Sequence, residues 1–195
     1  MLGVGNGGYS GSIPFHELAY DGLVNGFATW ATDTGHQSGI FDAAWALNND
    51  EAIADFGWRA VHYSAVAAPA IARSFYTTPF WTSTYKYWLG CSTGGRQGLK
   101  SVVSFPEDFD GVVVGSPARW MTRLQAGGAR QNVAIKPVWE RWGEDPAAFW
   151  SLVHDEVMKQ CDHLDGLSDG ILENPRDCQC VSLALLAATR AKGRL

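Results

Sequence analysis

Long apolar runs are missing from this chain: no stretch of its 195 residues approaches the roughly 18 uninterrupted apolar residues of a membrane-spanning helix. Runs of lysine and arginine are missing too. The 15 basic and 20 acidic residues leave a net charge of -5, which argues against nucleic acid and anionic membrane surfaces as partners. Met1 through Gly8 has neither a basic n-region nor an apolar h-region, so no secretory signal is legible there. Internal repeats and low-complexity tracts are absent. Histidine is scarce, with five residues, which keeps the search for a catalytic base short.

What is present begins with a core. An apolar content of 46% is ample for a packed globular chain of this length. The most informative segment is Gly90-Cys91-Ser92-Thr93-Gly94, because G-x-S-x-G after an apolar strand is how a serine hydrolase presents its nucleophile. The serine sits at a strand-to-helix turn sharp enough to strain its backbone, and the flanking glycines let neighbouring backbone pass without a Cβ clash. Tyr85 to Leu89 reads as the short buried strand before it. Thr93 to Ser104, with Leu99, Val102 and Val103 at helical spacing, reads as the helix after it, ended by Phe105-Pro106.

The remaining pattern alternates. Met1 to Val4 looks like the end of a strand and Val4 to Gly11 like a glycine-rich loop. Pro14 to Leu23 reads as a helix stopped by Gly26, and Phe27 to Thr32 as a buried strand followed by the polar turn Asp33 to His36. Asn49 or Asp50 caps a helical region reaching Tyr76, with Ala60, Val61, Ser64, Ala68, Ile71, Ala72 and Phe75 on one side and Pro69 expected to kink or divide it. Gly111 to Gly115 reads as another buried strand. Such alternation implies an α/β fold with a parallel sheet covered on both faces and a ligand site at the strands' carboxyl ends, where Ser92 falls. From about residue 117 the pattern turns helical and rich in tryptophan (Trp120, Trp139, Trp142, Trp150). The division expected is a partial core over 1–116 and an inserted lid over 117–195.

An activated serine needs a base, a group that orients the base, and two donors for the oxyanion. The backbone N–H of Thr93 is one candidate donor, and the Gly5-Asn6-Gly7-Gly8 loop, through Gly8, offers the other. No histidine fits the base convincingly. His154 falls in a lid helix, His163 in an aspartate-rich loop, His36 in a turn that precedes Ser92 in the chain, and His16 and His62 within helices. Cys161, Cys178 and Cys180 cluster near the C-terminal end, which suggests at least one disulfide and an oxidising compartment. Zinc is disfavoured because Cys178-Gln179-Cys180 lacks knuckle spacing. Between the cysteines, Asp162, Asp165 and Asp169 crowd one loop with Gly166 and Gly170. Like charges so placed must be solvated, hydrogen-bonded or neutralised, so a calcium site and a solvated Asx-turn loop both stand at this point.

Taken together, several segments resemble the tannase and feruloyl esterase family of α/β-hydrolases. They are Val4 to Gly8, Thr32 to His36, Asp55 to His62, GCSTGGRQG at Gly90 to Gly98, PEDFDG at Pro106 to Gly111, and the Cys161 to Cys178 loop. The resemblance implies a carboxylic ester hydrolase acting on phenolic (feruloyl or galloyl) esters through an acyl-enzyme on Ser92. It implies structural Ca2+ held by the side chains of Asp162, Asp165 and Asp169 and the carbonyls of Leu167 and Ile171, and a disulfide between Cys161 and Cys178. It also implies secretion. Family members are longer at both ends, with an acid and a His-Cys motif after the region matched here. Their cysteine beside the histidine bonds the one before the serine, which leaves Cys91 without that partner, and Cys180 is left over. The chain is therefore expected to be a fragment, inactive alone, with a catalytically silent calcium-stabilised binding module as the alternative.

Overall fold

The computed structural model describes residues 1–76, 85–142 and 146–180. They fall into two compact units, Met1–Leu124 and Gln125–Leu195.

The first unit is built on a parallel four-stranded sheet in the order β2-β1-β3-β4. The strands are β1 (Leu2–Val4), β2 (Thr29–Trp30), β3 (Tyr87–Cys91) and β4 (Gly111–Gly115). Parallel neighbours cannot be joined by tight turns, so helices carry each crossover. α1 (Phe15–Glu17) runs on as a π-helical turn, Leu18–Gly22, and a 3-10 turn, Leu23–Asn25. It stops at Gly26, whose φ of 78° only glycine adopts freely. α2 (Asp50–Ala54), a π-helical turn (Asp55–Arg59) and α3 (Ala60–Tyr76) join β2 towards β3, and α4 (Thr93–Ser104) joins β3 to β4. Asn49 caps α2, its side-chain oxygen accepting the Ala52 N–H at 3.2 Å.

Four expectations change. β4, read from the sequence as buried, lies at the edge of the four-stranded sheet and leaves Val113 65% exposed. The strand expected over 27–32 pairs only at Thr29 and Trp30, because β2 is an edge strand and its neighbour β1 meets it at Leu2 and Gly3 alone. Pro69 sits inside α3 without dividing it; the interruption falls instead at the π-helical turn Asp55–Arg59. The buried stripe of α3 is Val61, Ala65, Ala68 and Ala72, while Ile71 and Phe75 face outward. Small residues on that stripe let the helix lie close, so Ala68 and Ala72 pack on Met1, Ala28 and Trp30.

Gly3 shows how the sheet closes over its own centre. It is in register with Trp30 on one side and Trp88 on the other, and a Cβ at Gly3 would lie 2.6 Å from one indole and 2.8 Å from the other. The missing side chain lets the two tryptophans meet at a centroid distance of 5.7 Å, with Phe109 against both.

The second unit contains the greater part of α5 (Met121–Trp142), then α6 (Pro146–Cys161) and a 3-10 turn, Asp162–Asp165. Leu152 and Cys161 are buried there. Of the four tryptophans noted in the sequence, Trp120 and Trp150 are exposed; the side chains of Trp139 and Trp142 lie outside those described. Among the described residues no helix is long and apolar enough to cross a membrane.

Candidate active site

The chain leaves β1 towards β2 and leaves β3 towards β4, on the opposite side. The loops after β1 and β3 therefore part at the carboxyl ends of two neighbouring strands, which is where doubly wound sheets form a crevice. Gly5 to Gly8 follows β1 and Ser92 follows β3. They border a cleft of about 510 Å³ whose lining includes Gly5, Asn6, Gly7, Cys91, Ser92 and Gly115.

Ser92 is held at φ 56° and ψ -115°, a conformation that costs a residue with a Cβ on the order of 1–3 kcal/mol. Three hydrogen bonds enforce it. Its N–H donates to the Gly115 carbonyl, and its own carbonyl accepts from Arg96 N–H and Ala118 N–H, each at 3.0 Å. The glycines are required by contact. A Cβ at Gly90 would stand 2.4 Å from the Gly94 backbone, and one at Gly5 would stand 2.4 Å from the Gly94 Cα. β1, β3 and α4 thus touch backbone to backbone at three glycines.

The face that α4 turns inward differs from the apolar one expected. Val102 and Val103 are exposed, whereas Thr93, Gly94, Gln97, Gly98 and Ser101 are buried. A polar face is tolerated because its groups are bonded. Gln97 Nε2 donates to Asn6 Oδ1 at 3.0 Å, and the Asn6 N–H donates to Gln97 Oε1 at 3.1 Å. Asn6 Nδ2 donates to the carbonyls of Ser12 and Thr32, both at 2.9 Å. Thr93 Oγ1 donates to the Gly8 carbonyl at 2.7 Å. Trp88 Nε1 donates to the Gly94 carbonyl at 3.0 Å.

The candidate oxyanion donors can be followed group by group. Thr93 opens α4, so its N–H has no partner within the helix. In the loop, the Gly5 N–H is taken by the Leu89 carbonyl and the Asn6 N–H by Gln97. The N–H groups of Gly7 and Gly8 have no partner among the described residues. Gly7 lines the cleft and Gly8 does not; Gly8 is fixed at φ 55°, and a Cβ there would meet the Ile40 carbonyl at 2.3 Å.

His16, His36 and His62 are committed elsewhere. His36 stacks on Trp45 at 3.9 Å and its Nε2 lies 2.9 Å from the Tyr9 carbonyl. His62 stacks on Phe105 at 3.9 Å, with Nδ1 2.8 Å from Oδ2 of buried Asp108. That pair has the form of a catalytic dyad but stands at the wrong end of α4: twelve residues separate it from Ser92 by about 18 Å of helix. His16 stacks on Tyr20; His154 lies in α6 and His163 in the turn after it.

Arg96, unremarked in the sequence, proves to be a support. Its guanidinium donates to the Phe56 and Gly57 carbonyls at 3.0 Å and lies 4.6 Å over the Phe56 ring. Burial without a carboxylate partner pushes its pKa down to about 10. The group stays charged at neutral pH and fastens the π-helical turn to α4.

In the second unit, Cys161 and Cys178 form a disulfide, their Cα atoms 5.5 Å apart. Cys91 and Cys180 are free thiols. Within the closed loop Asp162 Oδ1 accepts from Gly170 N–H, Asp165 Oδ1 from Leu167 N–H and Asp169 Oδ1 from Ile171 N–H. Each carboxylate thus keeps a second oxygen, and oxygen donors of this kind suit a hard cation. Among the described residues no three His, Cys, Asp or Glu side chains gather into a metal-holding group.

A parallel α/β sheet with a serine on a strained strand-to-helix turn at its switch point defines an α/β protein with a crevice at the strands' carboxyl ends. Comparison with known proteins narrows the class. The family model described as tannase and feruloyl esterase matches residues 1–191, and the chain belongs to that family. It is 42% identical over 192 residues to a probable feruloyl esterase B-1 of Aspergillus fumigatus, covering 98% of this chain and 35% of that protein. A probable feruloyl esterase B-2 of Aspergillus flavus is 41% identical over 185 residues. Among solved structures, feruloyl esterase B from Aspergillus oryzae aligns with a TM-score of 0.76 at 39% identity, over 94% of this chain and 35% of that one. Tannin acyl hydrolase from Aspergillus niger aligns at 0.67 and 27% identity. The chain spans about a third of the length of these relatives, 35% of the first.

Proposed function

We propose that this chain carries the nucleophile of a carboxylic ester hydrolase acting on phenolic (feruloyl or galloyl) esters, a reading supported by the feruloyl esterases and the tannin acyl hydrolase among its relatives. The observation that carries the reading is the backbone of Ser92, φ 56° and ψ -115°, at a position where an unstrained residue would serve structure better. In the proposed reaction Ser92 Oγ attacks the ester carbonyl carbon while its proton passes to a base. The carbonyl oxygen gains negative charge facing the Thr93 N–H and an N–H of the glycine loop. The C–O bond to the alcohol then breaks, the alcohol leaves with the proton, and water attacks the acyl-enzyme to release the acid and free Ser92.

A fluorophosphonate probe tests the reading. Labelling should be stoichiometric in the protein as its gene encodes it and lost in Ser92→Ala; label retained by that variant overturns the assignment. The second reading, a catalytically silent binding module, is favoured by one fact: His36 and His62 are both bonded away from Ser92. Turnover of methyl ferulate or methyl gallate decides against it.

The reading extends to the second unit as a lid. Asp162, Asp165 and Asp169 through side chains, with Leu167 and Ile171 through carbonyls, would hold Ca2+ there, where its role is to tie the loop. The Cys161–Cys178 disulfide supports export to an oxidising compartment.

A further inference from the structure

The amide pair of Asn6 and Gln97 stands out among the buried polar groups. The two residues are 91 apart in the chain, Asn6 is 3% exposed and Gln97 1%. An apolar residue at 97 would fill the same place on α4, yet the position holds a carboxamide that reads two atoms of Asn6. Asn6 in turn spends its amide nitrogen on Ser12 and Thr32. Four segments meet at this one side chain: the loop after β1, the nucleophile helix, the bend at Ser12 and the segment after β2. Every polar atom of the pair is satisfied, and its geometry admits neither amide flipped, since a flip would set nitrogen against nitrogen and carbonyl against carbonyl.

We propose that Gln97 is a positioning residue. Through Asn6 it holds the Gly5–Gly8 loop against the nucleophile helix, so that the loop's unspent N–H at Gly7 stays at the Ser92 cleft. The Thr93 hydroxyl, bonded to the Gly8 carbonyl, and the Ile40 carbonyl, which accepts the Tyr9 N–H, fix the far end of the same loop. Gln97 touches no substrate. It acts by setting the distance between one oxyanion donor on the loop and the other on α4. The proposal rests on the reading of Ser92 as nucleophile.

Gln97→Glu is the primary test, with Gln97→Met as a variant of similar volume. The carboxylate still accepts the Asn6 N–H but offers no donor to Asn6 Oδ1. With methyl ferulate, kcat per fluorophosphonate-titrated site should fall about 10- to 100-fold, less than the roughly 10²–10³-fold lost when an oxyanion donor is removed outright, with KM held within about threefold. Amide exchange at the loop's bonded N–H groups, Asn6, Tyr9 and Ser10, should quicken while β3 and α4 keep their protection. A merely structural role would lower the titratable fraction and leave kcat per site unchanged; that result overturns the proposal. If the unaltered protein turns over no ester, the reading of Ser92 fails instead. The clamp is then judged on exchange alone, and unchanged rates at Asn6, Tyr9 and Ser10 in both variants refute it.

Discussion

At the scale of single residues, glycine and serine at the elbow make opposite demands that stability measurements can separate. Gly90→Ala drives a Cβ to 2.4 Å from backbone at Gly94, whereas Gly7→Ala places one where nothing lies within 4 Å. The first should cost about 1–3 kcal/mol in urea unfolding as overpacking does, and the second less than about 0.5 kcal/mol. Ser92 shows the reverse. Its backbone favours glycine, so Ser92→Gly should unfold at higher urea concentration than Ser92→Ala, by about 1 kcal/mol. Equal midpoints would show that no strain is stored there. Such a pair of results would locate the functional compromise at one residue.

At the scale of elements, the link between α4 and the π-helical turn Asp55–Arg59 depends on Arg96. Arg96→Met keeps much of the apolar stem and removes both bonds to the Phe56 and Gly57 carbonyls. It should cost about 1–3 kcal/mol, the order expected when buried carbonyls lose charged donors. Exchange should quicken at Asp55–Arg59 ahead of the rest of the first unit; uniform quickening would count against a local role. These contacts explain what element prediction captured and what it missed. β3, α4 and β4 were legible because apolar runs and the G-x-S-x-G turn are local signals. The inward face of α4 was not, since Gly94 is buried against Gly5, a residue distant in the chain, and Gly98 against Trp88 and Val114 on the two strands α4 joins. The stripe of α3 was misplaced for a related reason: Ile71 and Phe75 look like core by hydrophobicity, but the sheet admits the smaller Ala68 and Ala72.

At the scale of the molecule, the two units should respond differently to cation removal. If the 162–171 loop holds calcium, chelation by EGTA should lower the melting temperature and accelerate exchange in Gln125–Leu195 while Met1–Leu124 keeps its protection. Asp165→Asn should make the protein insensitive to the chelator, and a melting curve indifferent to calcium in the unaltered protein refutes the assignment. The sequence by itself determined the α/β class, the place of Ser92 and the disulfide-bearing acidic loop, because each is written in residues close together along the chain. The tertiary structure alone decided that His36 and His62 are bonded away from the serine, that Arg96 is a strut, and that Asn6 and Gln97 clasp across 91 residues. Those facts depend on the strand order β2-β1-β3-β4, which sets the loop after β1 beside the serine after β3, and no local pattern of residues encodes that neighbourhood.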